Sequence, residues 1–259
     1  MAKNYRATTG LFLVVIMAAP ALRAQQAPLL PLTPRAERIY RLELYGDVRM
    51  ARKRYRDAAE FYQEAFQLNS KKASLANKVG IAYFQQQDYN RARSWYDRAL
   101  KINRRFFEPL NNLGMVYYVR RNYKKARRYF QRALRLRPES ASAHVNLAAS
   151  YLSLKKPDEA FHEYRLALLL NPEILRQSRG PGVVLQTQSL EDMAQFHFVL
   201  ARTFAALGDV ERCLAYLRRA LEEGFRDLDQ LNSEPNFVFM REDIRFQQLL
   251  AQPPQAIKP

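Results

Sequence analysis

Histidine and cysteine, two side-chain types that often carry out acid–base, nucleophilic or metal chemistry at neutral pH, are rare in this sequence. The 259 residues include three histidines and one cysteine. His144, His162 and His197 lie far apart without the spacing of metal ligands, so we expect core or surface histidines, not zinc ligands or catalytic bases. Cys213 has no second cysteine with which to form a disulfide, and we expect it to be a small buried apolar residue.

Two further motifs have ordinary structural explanations. Gly180-Pro181-Gly182 is a turn signal, and it lacks the preceding strand and the following Lys-Ser or Lys-Thr of a phosphate-binding loop. The carboxylate pairs Glu222-Glu223 and Asp227/Asp229 fall at a helix end and in a loop, where solvated carboxylates are common. The sequence therefore predicts no catalytic site, no metal site and no cofactor, and we expect that the protein is not an enzyme.

Positive charge is the unusual chemical feature of the chain. The formal net charge is +17, and residues 35–140 hold 26 Lys and Arg against 10 Asp and Glu, whereas residues 141–259 hold 13 against 15. Each of these cations taken singly is explained as an ordinary solvated residue. Together, however, the clustered cations are a candidate binding surface for a negatively charged partner. The candidate basic patch comprises Arg91, Arg93, Arg98, Lys124, Lys125, Arg127, Arg128 and Arg132.

The basic residues alternate with apolar residues at helical spacing. In Phe107–Ser140, the residues Leu110, Leu113 and Tyr117 mark one helix, and Tyr123 and Phe130 mark a second. A polar turn at residues 120–122 separates the two helices. Each helix has one apolar stripe, so this hairpin requires a neighbour to bury the rest of its apolar surface.

The neighbouring hairpins are visible as columns of similar residues with a period of 34 residues. One column is Gly46, Gly80, Gly114 and Ala148. Others are Tyr83, Tyr117 and Tyr151; Tyr55, Tyr89 and Tyr123; Ala58, Ala92, Ala126 and Ala160; Tyr62, Tyr96, Phe130 and Tyr164; and Ala65, Ala99, Ala133 and Ala167. In this period and pattern the chain resembles the tetratricopeptide repeat (TPR) family, although Leu42, Ala76, Leu110 and His144 replace its tryptophan.

The resemblance implies an all-α fold, a right-handed α-solenoid of TPR hairpins with a C-terminal helical cap. Ala201 follows Ala148 by 53 residues, 19 more than one period, so an insertion separates the fourth and fifth units. We expect a signal peptide at 1–24, a Pro-rich linker at 25–38, and four repeats within 39–172 (39–72, 73–106, 107–140 and 141–174). These repeats are followed by an inserted loop at 173–193, a fifth, degenerate repeat at 194–227, and a cap and tail at 228–259.

The N-terminal segment has the pattern of a secretory signal peptide. Lys3 and Arg6 precede a 12-residue apolar run, Leu11–Leu22, and Ala24 offers a cleavage site before Gln25. The run is shorter than the roughly 20 residues of a membrane span, so we expect export and no transmembrane span in the mature chain. The alternative is an uncleaved N-terminal membrane anchor.

The resemblance also implies where a partner binds, because TPR proteins usually hold a peptide or helix in a concave groove lined by the first helices. The predicted groove residues are Asn77, Ile81, Phe84, Asn111, Met115, Tyr118, Val145, Ala149 and Leu152. We expect Phe84 and Tyr118 to be exposed anchors. Glu43 and Asp47 stand where chaperone-binding members carry a clamp for a terminal carboxylate, which argues against such a clamp.

These observations predict a non-catalytic protein-interaction scaffold or adaptor, exported to a bacterial envelope, that binds a protein or peptide. The alternative is an envelope-surface binder whose basic convex face, formed by second helices, holds anionic lipid or acidic polymer. The pI near 10.1 is typical of nucleic-acid-binding proteins. The predicted export argues against nucleic acid as the partner.

Overall fold

The structure is a computed structural model that describes residues 33–177 and 190–255. The predicted signal peptide, most of the linker and most of the insertion lie outside the described residues. The described residues form helices and no strands. The helices are α1 Pro34–Ala51, α2 Tyr55–Leu68, α3 Ala73–Gln85, α4 Tyr89–Ile102, α5 Phe107–Val119, α6 Tyr123–Leu134, α7 Ala141–Ser153, α8 Pro157–Leu170, α9 Ile174–Gln177, α10 Leu190–Ala206, α11 Val210–Glu222, α12 Leu228–Ser233 and α13 Ile244–Ala251, with a 3-10 helix at Pro235–Met240.

The helices pack as consecutive hairpins. The most extensive contacts join α1 to α2, α3 to α4, α5 to α6, α7 to α8 and α10 to α11. Each second helix also packs against the first helix of the next hairpin, as α2 does against α3 and α8 against α10. The predicted solenoid of helical hairpins is therefore confirmed.

The turn inside each hairpin repeats with the same period. Lys53, Gln87, Arg121 and Lys155 are 34 residues apart, and each has a positive φ between 57° and 62°. The amide of Gln87 donates to the carbonyl of Phe84, and the next amide donates to Tyr83, which is the bonding pattern of a Schellman motif. In the fifth hairpin, Gly208 takes this position with a φ of 75°. The left-handed residue ends the first helix and reverses the chain.

Three of the second helices begin at polar caps that the sequence supplies locally. The side chains of Asp88, Asn122 and Asp209 accept hydrogen bonds from backbone amides in the first turns of α4, α6 and α11. Such caps satisfy amides that the helix itself leaves unpaired. The starts of these three helices are therefore fixed, and with them the directions in which their side chains point.

The solenoid is closed at its C-terminal end by short helices. Phe237 and Phe246 are buried, and Phe237 packs edge-on against Phe198 of α10 with ring centroids 6.1 Å apart. Phe198 stacks on Phe225 with a centroid distance of 4.2 Å. Terminal repeats need such a cover because they have no neighbour on one side. The predicted C-terminal helical cap is present.

One predicted boundary is wrong. The linker was expected to extend to residue 38, but α1 begins at Pro34. Proline is favoured in the first turn because the amide it lacks has no helical partner there. The Thr33 side chain caps the helix by accepting a hydrogen bond from the amide of Ala36. Within residues 33–177 and 190–255, no helix has the length and hydropathy needed to cross a bilayer.

Candidate interaction surfaces

The predicted groove on the first helices is largely filled. Of its residues, Asn77, Asn111, Met115, Tyr118, Val145 and Ala149 are buried, and Ile81, Phe84 and Leu152 are half-buried. The expectation that Tyr118 is an exposed anchor is wrong, because this side chain is only 4% exposed. The strip does not present the open apolar surface that a docking groove requires.

Contacts between successive first helices explain this burial. The Tyr118 ring packs against Tyr123 of its own hairpin, with centroids 5.2 Å apart. Its hydroxyl shares a 3.1 Å hydrogen bond with Ser153, which lies on the first helix of the next hairpin. Met115 belongs to the same apolar cluster, which also includes Ala149. Phe84 packs on Tyr89 with centroids 5.3 Å apart. These residues therefore hold neighbouring hairpins together.

The amides expected in the groove also serve the stack. Asn112 donates to Asn77, and one repeat later Asn146 donates to Asn111, both at 3.1 Å. The two bonds occupy equivalent positions 34 residues apart. They form a periodic amide ladder between first helices, which leaves these polar groups satisfied within the protein.

The first hairpin has an ion network where a carboxylate clamp would lie. The ammonium of Lys78 is 3.0 Å from Glu43 and 2.7 Å from Asp47, and that of Lys72 is 2.6 Å from Glu43. Burial alone would raise the pKa of Glu43, but hydrogen bonds from Lys72 and Lys78 outweigh it and leave this pKa lowered. The hydroxyl of Tyr62 also donates to Asp47 at 2.7 Å. Both carboxylates are thus neutralised by neighbouring lysines.

The candidate basic patch lies on α4 and α6, the second helices of two successive hairpins. All of its members are exposed except Arg127, which is half-buried. Several cations stand over aromatic rings: Arg91 over Tyr83 at 5.4 Å, Lys125 over Tyr117 at 5.3 Å, and Arg132 over Tyr129 at 5.2 Å. Cation–π contacts of this kind restrict the side chains without neutralising their charge.

The two helices of the patch differ in how their cations are compensated. On α4, Arg91 lies 3.3 Å from Asp88, and Asp97 stands near Arg93 and Lys101. Burial raises the pKa of Asp97, and the two nearby cations only partly offset this effect. Helix α6 itself contains no acidic residue. Within the part of the chain that the structure describes, no α6 cation lies within 4.0 Å of a carboxylate.

The histidines and the cysteine are placed as structural residues. His144 donates from Nδ1 to Glu163 at 2.6 Å and from Nε2 to the carbonyl of Pro138 at 2.8 Å. His197 pairs with Glu223, and His162 is exposed. Burial raises the pKa of the Cys213 thiol to about 12, so this thiol is protonated at neutral pH. Among the described residues, no three His, Cys, Asp or Glu side chains are placed to hold a metal ion together.

One exposed apolar surface was not predicted. Tyr40, Leu44, Tyr45 and Val48 of α1 are all exposed. The sequence signal was available, since Tyr45 stands 34 residues before Val79, which is fully buried against the preceding hairpin. The first repeat has no preceding hairpin among the described residues, so its equivalent side chain meets no such cover.

Comparison with known proteins bears on the identity of the repeat. Models described as tetratricopeptide repeat match residues 71–139, 111–174 and 194–223, which together cover just over half of the chain. The chain belongs to the tetratricopeptide repeat family. Its membership accounts for the 34-residue period and for the paired helices of the structure. The match to residues 194–223 falls on the hairpin of α10 and α11.

Solved structures show the same TPR architecture. A crystal structure of MamA protein is 17% identical, covers 76% of this chain and 96% of its own, and superposes with a TM-score of 0.51. A MamA RS-1 ArsTM double mutant is 18% identical, covers 72% and 94% respectively, and has a TM-score of 0.52. At this identity the likeness concerns the fold alone. No curated protein matches the sequence significantly.

Proposed function

We propose that this TPR protein is a non-catalytic scaffold that binds a protein partner and is exported to a bacterial envelope. The observation that carries the proposal is the exposed positive charge of helix α6. Helix α6 presents Lys124, Lys125, Arg128 and Arg132 to solvent without a carboxylate within 4.0 Å among the described residues. Charges that no intramolecular partner neutralises are available to a second molecule.

The placement of the reactive side chains supports a binding role over a catalytic one. Cys213 is buried with a raised pKa, and His144 has both ring nitrogens engaged inside the protein. A nucleophile or general base needs access to its substrate. Cys213 and His144 are therefore placed as structural residues, and the exposed charged side chains are the groups available to a partner.

Binding to a protein is tested by crosslinking the full-length chain in intact cells that produce it and identifying the crosslinked protein by mass spectrometry. The identified protein is then purified and titrated into the scaffold by calorimetry. We expect a saturable complex at defined stoichiometry. A purified partner that forms no complex, or is consumed in a chemical reaction, would contradict the proposal.

The export part of the proposal depends on residues 1–24. The positive start, the short apolar run and the small residue before Gln25 support cleavage by a signal peptidase. Intact-mass analysis of the protein from fractionated cells should show a chain that begins at Gln25 in the soluble envelope fraction. An uncut chain in the membrane pellet would instead support the N-terminal anchor.

A second candidate function rests on the same uncompensated cations of α6. In this alternative the basic wall holds an anionic lipid or acidic polymer of the envelope. Binding to vesicles that contain anionic lipid should then weaken steeply with ionic strength, because exposed charges are screened by salt. Binding that is equal for neutral and anionic vesicles would contradict this alternative.

A further inference from the structure

We propose that the candidate basic patch on α4 and α6 binds an acidic helical segment of the protein partner. This inference rests on the proposed scaffold function and names the chemistry of its partner. It follows from the extent of the candidate basic patch, the spacing of its cations and the aromatic rings that lie under them.

The positive charge is concentrated on two successive second helices, α4 and α6. On α2, the preceding second helix, Arg54 lies 2.6 Å from Asp57 and Arg56 lies 3.5 Å from Glu60, so the cations of that helix are paired within it. The next second helix, α8, begins with two acidic residues, Asp158 and Glu159. Both are paired, Asp158 with Arg202 and Glu159 with Lys156. The basic surface is therefore an island between two helices whose first-turn charges are paired.

The small extent of this basic surface favours a narrow partner over an extended one. A flat anionic membrane or a long polyanion would extend beyond α6 onto α8, where Asp158 and Glu159 are already paired with Arg202 and Lys156. The first turn of α8 would therefore add no uncompensated cation to such a contact. A helix with its side chains is about 10–12 Å wide, so one partner helix that lies along α6 can cover the exposed cations of that helix.

The cations on α6 have the spacing of a helix. Lys124, Arg128 and Arg132 recur every four residues on one exposed face. At a rise of 1.5 Å per residue, their Cα atoms are about 6 Å apart along the axis. An acidic helix with carboxylates at every fourth residue has the same spacing, so it can pair with all three cations when it lies alongside α6.

Aromatic rings hold two cations of this surface in place. Tyr117 and Tyr129 stack with centroids 5.2 Å apart, and these rings lie under Lys125 and Arg132 respectively. Side chains that are already restricted lose less conformational entropy when a partner binds. The rings also leave the ammonium and guanidinium groups charged, so they remain competent to pair with carboxylates.

The test uses a short labelled helical peptide whose glutamates recur every four residues, and a scrambled peptide of the same composition. The variant carries Arg128→Glu and Arg132→Glu on α6. The matched control carries Arg218→Glu and Arg219→Glu on α11, where both residues are exposed and Arg219 stands over Tyr216 at 5.6 Å. Both variants change the net charge equally, and circular dichroism checks that each keeps its helix content.

We expect the helical peptide to bind the full-length chain in a salt-dependent manner. The α6 variant should lose about tenfold in affinity, since two ion pairs are replaced by repulsion, and the α11 variant less than about twofold. The scrambled peptide should bind more weakly than the periodic one. Equal losses in the two variants, or equal binding of the two peptides, would reduce the effect to net charge and overturn the inference.

Two other probes distinguish other classes of anionic ligand. Tighter binding of anionic vesicles or of single-stranded DNA than of the helical peptide, with the same loss in the α6 variant, would overturn the proposal in favour of lipid or nucleic acid. A failure of this inference can be told apart from a failure of the scaffold function. If the crosslinked partner still binds the α6 variant at full affinity, the scaffold remains supported and the acidic-helix inference is overturned.

Discussion

The Gly114 backbone lies directly against the Phe130 ring, and a Cβ atom added to Gly114 would lie 2.6 Å from Cδ1 of that ring. Carbon atoms in ordinary contact are about 3.5–4.0 Å apart, so the added atom has no room. Gly80 has the same relationship to Tyr96, one repeat earlier. The close approach of the two helices in each of these hairpins therefore depends on a glycine facing an aromatic ring.

Gly114→Ala is expected to destabilise the protein by about 1–3 kcal/mol, because overpacking a rigid contact forces a shift of the ring or of the helix. The higher helix propensity of alanine acts in the opposite direction and is worth about 1 kcal/mol or less. The free energy of unfolding measured by urea denaturation tests this expectation. Unchanged or increased stability would contradict it.

The fifth hairpin supplies a matched rescue for that variant. There, Ala201 and Leu217 occupy the positions of Gly114 and Phe130. The double variant with Gly114→Ala and Phe130→Leu should be more stable than the sum of the two single effects predicts. We expect a coupling energy of about 0.5–3 kcal/mol in a double-mutant cycle, as is usual for residues in direct contact.

Tyr118→Ala is expected to unfold or strongly destabilise the protein, by about 3–5 kcal/mol, because a large buried side chain would leave a cavity. Tyr118→Phe, which keeps the ring and removes the hydroxyl that bonds to Ser153, should cost about 1 kcal/mol. Tyr40→Ala serves as the control, since this side chain is 61% exposed and should change stability by about 0.5 kcal/mol or less. Thermal melts that leave the Tyr118→Ala variant as stable as the control would restore the groove hypothesis.

The pKa of His144 is expected to lie above its ordinary value. Burial alone would lower this pKa, but hydrogen bonds to Glu163 and to the Pro138 carbonyl outweigh it. The Pro138 carbonyl can only accept, so Nε2 carries a proton, and a second proton on Nδ1 pairs the ring with the Glu163 carboxylate. The stabilisation is therefore fully present below the unfolded pKa of about 6.5 and is lost as pH rises through the higher folded pKa.

The titration of His144 can be followed by NMR. The His144 ring should titrate above the ordinary histidine pKa of about 6.5. Glu163→Gln should move the His144 titration to lower pH, because it removes the carboxylate charge. The same pKa for His144 in both proteins would show that this ion pair does not hold the imidazolium form.

Cys213 is expected to resist thiol reagents in the native protein. Its side chain is buried, and burial raises its pKa to about 12, which leaves little thiolate at pH 8. Labelling with iodoacetamide should be slow in buffer and rapid in denaturant, as measured by intact mass. Rapid modification of the folded protein would indicate an accessible, activated thiol.

The sequence alone was sufficient for the architecture because the determinants of a TPR hairpin are local and periodic. Small residues such as Gly80 and Ala92 recur with large ones such as Tyr96 at fixed spacing, and this alternation sets how two helices pack. The turn residues Gln87 and Arg121 gave no such signal, since left-handed backbone at non-glycine residues is rarely evident from residue type. The hairpins were predicted, whereas the geometry of their turns was not.

Accessibility was decided by the tertiary structure. The sequence predicted that Met115 and Tyr118 lie on the inner side of a first helix, but the approach of α7 to α5 buried them. Likewise, the sequence identified the cations of α4 and α6. Only the fold showed that Lys78 is neutralised by Asp47 from another hairpin while Arg128 meets no carboxylate among the described residues. Helical periodicity fixes the direction of a side chain, whereas its exposure and its ion pairs depend on distances between hairpins, which one repeat does not encode.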